Sequence, residues 1–284
     1  MDKQTFLQKL NQIHEISTLP IILSKVNRML QDYETSIRKL SEVIESDQAI
    51  TSKILKLVNS AFYGFRSKIS NIPHALVILG FNSIRNAVIS VSVFDTFSAK
   101  TMKESEAKDF WKHSVGVAVI SKYLAGKTRL AIPEDSFVAG LLHDIGKSVM
   151  AQHFPEPFGQ ILASMREKGQ TFYQAEKNQL PLNHPQIGGY ISKRWQFPPT
   201  LIEAIEYHHA INSGATDLHL PIIVHIADRI ANQQLTAGEV ESELEGIAPE
   251  ILKNLCLQME KLEEWFPPLS AEIESACRFF LHKE

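Results

Sequence analysis

In LLHDIGK, residues 141–147, His143 and Asp144 stand side by side among leucine, isoleucine and glycine. His208 and His209 make a second adjacent pair in IEAIEYHHA, and His113, His184 and Asp228 fall singly in apolar-periodic stretches. Neutral imidazole and carboxylate are the donors that a borderline or hard divalent ion takes. An unpaired carboxylate inside hydrocarbon costs roughly several kcal/mol, so a His-Asp pair in such surroundings asks for a cation. Neighbouring residues on a helix point about 100° apart, which lets His143 and Asp144 straddle one face and lean toward a common point. On that reading His208 and His209 repeat the arrangement on another helix.

Each residue also has a plainer reading. A lone histidine beside core residues is more often a hydrogen-bonded structural residue than a ligand, and His14, His74, His153, His219, His225 and His282 are set aside on that ground. Asp228, in HIADRIA, has Arg229 beside it and would serve an ion pair equally well. Two of the histidines could hold a haem in principle, but the carboxylates favour harder ions. Iron, manganese, zinc, nickel and cobalt all suit histidine with carboxylate.

Helices have to position these residues. Apolar residues recur at three and four along the chain, strand patterns are nearly absent, and Gly and Pro fall between the periodic segments, which predicts an all-α fold. TSIRKLSEVIE puts Ile37, Leu40, Val43 and Ile44 on one face with Thr35 or Ser36 as N-cap. Asp47 can cap QAITSKILKLVNSAFYG, which Gly64 would end, and Phe62, Tyr63 and Phe65 read as core at its end. Asn71, Pro73 and Gly80 bracket NIPHALVILG, and a further helix runs from about Asn82 to Phe97. The charged stretch SAKTMKESEAKD reads as a boundary. Beyond it come DFWKHSVGVAVISKYLA, EDSFVAGLLHDIGKSVMAQ, FGQILASMREKG, TFYQAEKNQL, HPQIGGYISKRW, PTLIEAIEYHHA, LPIIVHIADRIANQ and C-terminal helices, with no internal repeat.

With 284 residues and 44% hydrophobic content the chain can fill a sizeable core. Its first residues, MDKQTFLQKL, lack an apolar centre and runs such as LPIIVHIA are short, so a cytoplasmic protein without a membrane partner is expected. Cys256 and Cys277 read as core thiols and not as a disulfide framework. A net charge of -3 offers no basic footprint for nucleic acid.

The order His113, His143-Asp144, Asp228 resembles the H…HD…D pattern of the HD superfamily of metal-dependent phosphohydrolases. STLPIILSKVNRML, LSEVIESDQAITSKILKLVNSAFYG and ISNIPHALVILGFNSIRNAVIS look like the HDOD domain, a bacterial signalling relative of the HD and HD-GYP domains. HPQIGGYISKRWQFPPTLIEAIEYHH looks like its later portion, so the resemblance spans roughly residues 10–235. It implies an N-terminal helical cluster, 1–104, packed on an HD-type metal-binding part, 105–284. It also implies one or two divalent ions: a first held by His113, His143, Asp144 and Asp228, and a second by His184, His208 and His209, with Asp144 bridging the two. Two ions sharing a carboxylate suit in-line attack of water on phosphorus, with Asp144 and Lys147 as the catalytic residues and Lys147 on a phosphate oxygen. A lysine at a helix end is, taken alone, ordinarily solvated.

The implied function is signal transduction, with hydrolysis of a nucleotide or phosphodiester as the activity and a nucleotide or cyclic dinucleotide as ligand. Many HDOD domains are thought to have lost metal ligands and to act as interaction modules, so the alternative is a non-catalytic module with a protein partner and a structural metal. The chain departs from HD-GYP phosphodiesterases after the double histidine, where HHAINSGATDLHLP stands in place of their glycine- and tyrosine-containing loop. The Gly-Tyr of IGGYISKRW precedes that pair and reads as helix packing.

Overall fold

The first helices of the chain are α1 (Lys3–Gln12), α2 (Ile21–Leu30), α3 (Ile37–Glu45), α4 (Gln48–Val58) and α5 (Ile72–Ser98). They are seen in a computed structural model that describes residues 2–13, 21–32, 34–60, 68–98, 104–177, 179–211, 214–232, 240, 244 and 247–281. Asp2, Ser36 and Asp47 each accept a backbone N–H from the first turn of α1, α3 and α4, filling the donors a helix start leaves unpaired. α4 stops at Val58, short of Gly64. There the Asn59 side chain bonds both the N–H and the carbonyl of Ile69 at 2.7 Å, and the chain leaves the helix axis. Phe62, Tyr63, Gly64 and Phe65 lie outside the described residues.

Gly80 takes φ 78° and ψ 170° inside α5, so the run consists of two helical pieces, as the NIPHALVILG punctuation predicts. By length and composition Ile72–Phe97 could cross a bilayer, which corrects the expectation that every apolar run is too short. The break at Gly80 and burial of 56% of its most apolar window fit a core helix.

The remainder forms α6 (Glu104–Thr128), α7 (Pro133–Leu142), α8 (Ile145–His153), α9 (Pro155–Lys168), α10 (Phe172–Glu176), α11 (His184–Arg194), α12 (Pro199–Tyr207), α13 (His219–Ala231), α14 (Pro249–Glu260) and α15 (Leu262–Leu281). Among the described residues every regular element is a helix, and α6 is the one on which α7, α13, α14 and α15 pack. SAKTMKESEAKD is helical from Glu104 onward, and its residues 99–103 lie outside the described ones. Cys256 and Cys277 are half-buried thiols, less enclosed than core residues.

α7 crosses α6 so closely that a Cβ on Gly140 would sit 2.7 Å from the Cα of Ala118, an approach only glycine allows. The glycines of IGGY do pack helices, with Gly188 against Ile205 and Ile145 and Gly189 against Glu206. Capping boxes at Thr171 and Asn183 start α10 and α11. Contacts that join the early helices to the later ones include the rings of Phe6 and Phe154 at 4.6 Å, Asn27 Nδ2 to the Trp195 carbonyl at 3.2 Å, and Asn86 Nδ2 to Asp135 Oδ1 at 2.5 Å.

Two local expectations need correcting. EDSFVAGLLHDIGKSVMAQ is two helices, α7 and α8, and His143 and Asp144 form the turn between them. Asp144, at φ -97° and ψ 11°, leaves the helical region, and its carbonyl accepts Lys147 N–H three residues on. His208 and His209 likewise follow the last residue of α12 and are not part of a helix. Both pairs therefore sit where the backbone bends, so their side chains are not tied to the 100° step.

Candidate metal centre

Five elements deliver the predicted residues to one place. His113 comes from the first half of α6, His143 and Asp144 from the α7–α8 turn, His184 from the first position of α11, His208 and His209 from the end of α12, and Asp228 from the interior of α13. Asp144 is the hub. Its Oδ2 lies 3.3 Å from His143 Nε2 and 3.8 Å from His113 Nε2, while its Oδ1 lies 3.0 Å from His184 Nε2 and 3.9 Å from His208 Nε2. Asp228 Oδ1 closes the first side, 3.0 Å from His113 Nε2 and 3.6 Å from His143 Nε2. On the other side the ring centres of His208 and His209 are 4.3 Å apart and both are near His184.

The donor atoms of His113, His143 and Asp228 lie within 4.8 Å of one another, as do those of His184, His208 and His209. The same limit joins His143, Asp144 and His208 across the two groups. Asp228 thus turns toward His113 and His143, with Asn232 Nδ2 steadying its Oδ1 at 2.9 Å.

The inner nitrogens are free while the outer ones are tied. His143 Nδ1 bonds the Gly140 carbonyl at 2.7 Å and His208 Nδ1 the Ile205 carbonyl at 2.8 Å. A carbonyl accepts only, so each Nδ1 donates and each neutral ring offers Nε2 as a lone pair. His184 Nδ1 is held by Glu176 Oε1 at 2.8 Å. In contrast, His143 Nε2, His184 Nε2, His208 Nε2 and Asp144 Oδ1 are buried with no aligned hydrogen-bond partner among the described residues. Buried polar atoms are rarely left so. Inner lone pairs facing one space and outer N–H groups anchored on carbonyl or carboxylate are what a divalent ion requires of histidine, so the residues present fit one.

Electrostatics follow from burial and mutual approach. Burial alone would lower the His143 pKa, but in the metal-free protein the carboxylates of Asp144 and Asp228 reverse this and raise it to about 10, so a divalent ion would take the place of the ring proton on Nε2. Burial would raise both carboxyls, yet His143, Lys147 and His184 hold Asp144 well below the usual range, and His113 and His143 do the same for Asp228. Burial and the neighbouring imidazoles push His208 far down, and burial with His184 takes His209 to about 2. Lys147 keeps 19% of its side chain exposed but is tied inward: its Nζ reaches Asp144 Oδ2 at 2.5 Å and lies 5.0 Å from the Phe172 ring centre.

Two contributors escape a sequence reading. Glu176 is wholly buried and clamps His184, with Oε1 on Nδ1 and Oε2 on the backbone N–H, 2.8 Å each. Nothing in its spacing marks it, because it sits eight residues from its partner across a turn. His225, set aside above, bonds the His208 carbonyl through Nδ1 at 2.7 Å, which braces the turn that carries the double histidine. His219 pairs with Asp217 at the surface, and His14 and His282 lie outside the described residues.

Residues 16–211 match the HDOD domain. The chain belongs to the HDOD domain family. The match stops before Asp228, earlier than the roughly 235 expected from the motifs. An HDOD domain protein with unknown function from Geobacter sulfurreducens has the same fold, with TM-score 0.76 and 23% identity over 96% of each chain. So has a candidate phosphohydrolase from Shewanella amazonensis, with TM-score 0.72 and 23% identity over 96% of this chain and 97% of the other. An uncharacterized protein of Treponema pallidum is 25% identical over 88% of this chain, and YuxH of Bacillus subtilis is 29% identical over 45% of it. The HDOD chain spans 48% of the first relative and 31% of the second.

Proposed function

We propose that this HDOD protein acts in bacterial signal transduction through a divalent-metal centre at His113, His143, Asp144, His184, His208, His209 and Asp228, and that it hydrolyses a phosphate ester or diester, a nucleotide among the candidates. The observation that carries this is the set of buried, unpartnered lone pairs around Asp144, with each outer ring nitrogen of His143, His184 and His208 already engaged. Divalent ions bound there would neutralise phosphate charge and acidify water. Of the chain's own groups, Asp144 stands between the two sets of histidines and orients both. Lys147 is the cation that can turn from Asp144 to a phosphate oxygen.

The test is elemental analysis of untagged protein purified without chelator, beside Asp144→Ala, followed by hydrolysis assays on nucleotides and cyclic dinucleotides. One or two equivalents of iron, manganese, zinc, nickel or cobalt, lost in the variant, together with turnover, is the expected result. Absence of metal after reconstitution sinks the reading.

A second reading is favoured by enclosure. His143, His184 and His208 have no exposed surface, and only His113, His209 and Lys147 give the cluster an outer side. On that reading the metal is structural and the protein is a non-catalytic module that binds a signalling partner. Metal binding that raises stability or partner affinity without any turnover supports it, and multiple-turnover hydrolysis removes it.

A further inference from the structure

The two short helices that end in the candidate ligands begin together at a cleft on the other side of the fold. α7 leads into His143–Asp144 and brings Asp135 and Val138 to a small recess beside the cleft, while α12 leads into His208–His209 and brings Thr200 and Leu201 to the same recess. At 1.5 Å per residue each helix is about 14 Å long. Across the cleft stand α2, with Asn27, Leu30 and Gln31, and α5, with Arg85. The open space is about 200 Å³.

Two of the residues lining this cleft, Arg85 and Asn27, each leave one buried polar atom unpartnered among the described residues. Among the described residues Arg85 is the one charged residue around the larger space, and its buried Nε has no partner there. Its nearest countercharge, Asp135, accepts Asn86 Nδ2 at 2.5 Å and faces the smaller recess beside it. Asn27 is only 4% exposed, and its Oδ1 also lacks a partner although Nδ2 is used on Trp195. α12 starts at Pro199, which has no N–H, and has no side-chain cap, so the N–H groups of Thr200 and Leu201, which line the adjoining recess, have no side-chain acceptor. Gln196, at the lip, has φ 54°, where glycine would ordinarily serve, so a side chain is kept at a conformational cost. Leu30, Phe197 and Pro198 supply an apolar wall.

We infer that this cleft binds a small organic oxyanion, with the head group between the Arg85 guanidinium and the start of α12, the body on Leu30, Phe197 and Pro198, and a donor to Asn27 Oδ1. A planar guanidinium and free helix-start amides both suit a carboxylate or a phosphate. Because the occupant touches Pro199, the first residue of the helix that leads into His208–His209, it biases the position of that helix. It is therefore an input to the centre from the side away from its ligands. The binding claim stands apart from the metal reading, and the coupling claim rests on it.

Calorimetry of the full chain, with chelator, tests binding with two probes, phenylphosphonate and benzoate, and ¹⁵N-arginine spectra follow the Nε–H of Arg85. The expected result is saturable binding of at least one probe with a displaced Arg85 resonance, weakened at least roughly tenfold in Arg85→Gln and less in Arg85→Lys. Which probe binds separates a phosphate site from a carboxylate site. Saturation by neither, or binding that leaves the wild-type Arg85 signal unmoved, overturns the site. For the coupling, manganese affinity is measured with and without saturating probe, and by reciprocity any change must appear in the probe's affinity as well. Equal manganese affinity in both overturns the coupling. A protein that binds the probe at Arg85 but takes up no metal keeps the site and sinks the metal reading alone.

Discussion

Glu176 holds His184 at two points, its Oε1 on the ring Nδ1 and its Oε2 on the backbone N–H, both 2.8 Å and both away from solvent. One carboxylate thereby fixes the ring's tautomer, its rotation and the first turn of α11. Glutamine in its place has one accepting oxygen for two donors and turns an N–H toward one of them. Glu176→Gln should weaken metal binding about 10- to 100-fold, and the half of the centre built on His184, His208 and His209 should empty first. Metal content after graded dialysis measures this. Unchanged stoichiometry and affinity would show that Glu176 serves only the fold.

Gly146, two residues after Asp144, is required by a neighbouring backbone. A Cβ there would stand 2.0 Å from the carbonyl oxygen of His184 and 2.8 Å from its carbonyl carbon, and neither can yield without moving α11. Gly146→Ala should destabilise the protein by about 1–3 kcal/mol or more in urea unfolding. It should also lower metal content, because the same displacement pulls His184 Nε2 from Asp144 Oδ1, now 3.0 Å away. A stable variant with full metal content contradicts the packing described.

Much of this was legible in the residues. Ser36 and Asp47 mark helix starts through their own side-chain chemistry, and the structure uses each as a cap. His143 and Asp144 announced a polar site because nothing else in LLHDIGK could satisfy them. Their turn was not legible, since its apolar neighbours continue helical spacing on both sides and the break is set by Asp144's own backbone. Glu176 and His225 were hidden for another reason: each acts through a partner 8 or 17 residues away, and periodicity carries no information about such pairs.

Metal-free protein should be most stable near pH 6.5. His208 and His209 titrate below their ordinary value in the fold, so their contribution is present above about pH 6.5 and is lost as the pH falls. His143 titrates near 10 in the fold, so its contribution is present below about pH 6.5 and is lost as the pH rises toward 10. Each proton in play changes stability by about 1.4 kcal/mol per pH unit. Denaturant unfolding of chelated protein across this range should give a bell, with the alkaline limb removed by His143→Gln. A monotonic profile in wild type refutes the charge assignment.

Lys147 distinguishes the catalytic reading from the structural one, because the two make opposite demands on it. Without metal its ammonium is the closest cation to Asp144 Oδ2, at 2.5 Å, so it occupies the carboxylate that an incoming ion needs. Lys147→Met removes that competitor while keeping a side chain of similar length, and metal affinity should rise. If the site hydrolyses phosphate esters, the same change removes the donor available to a phosphate oxygen, and turnover should fall about a hundredfold. Tighter metal with lost turnover is the outcome specific to catalysis. Tighter metal in a wild type and variant that are equally inert assigns Lys147 to charge balance alone, and looser metal denies the competition that the 2.5 Å pair describes.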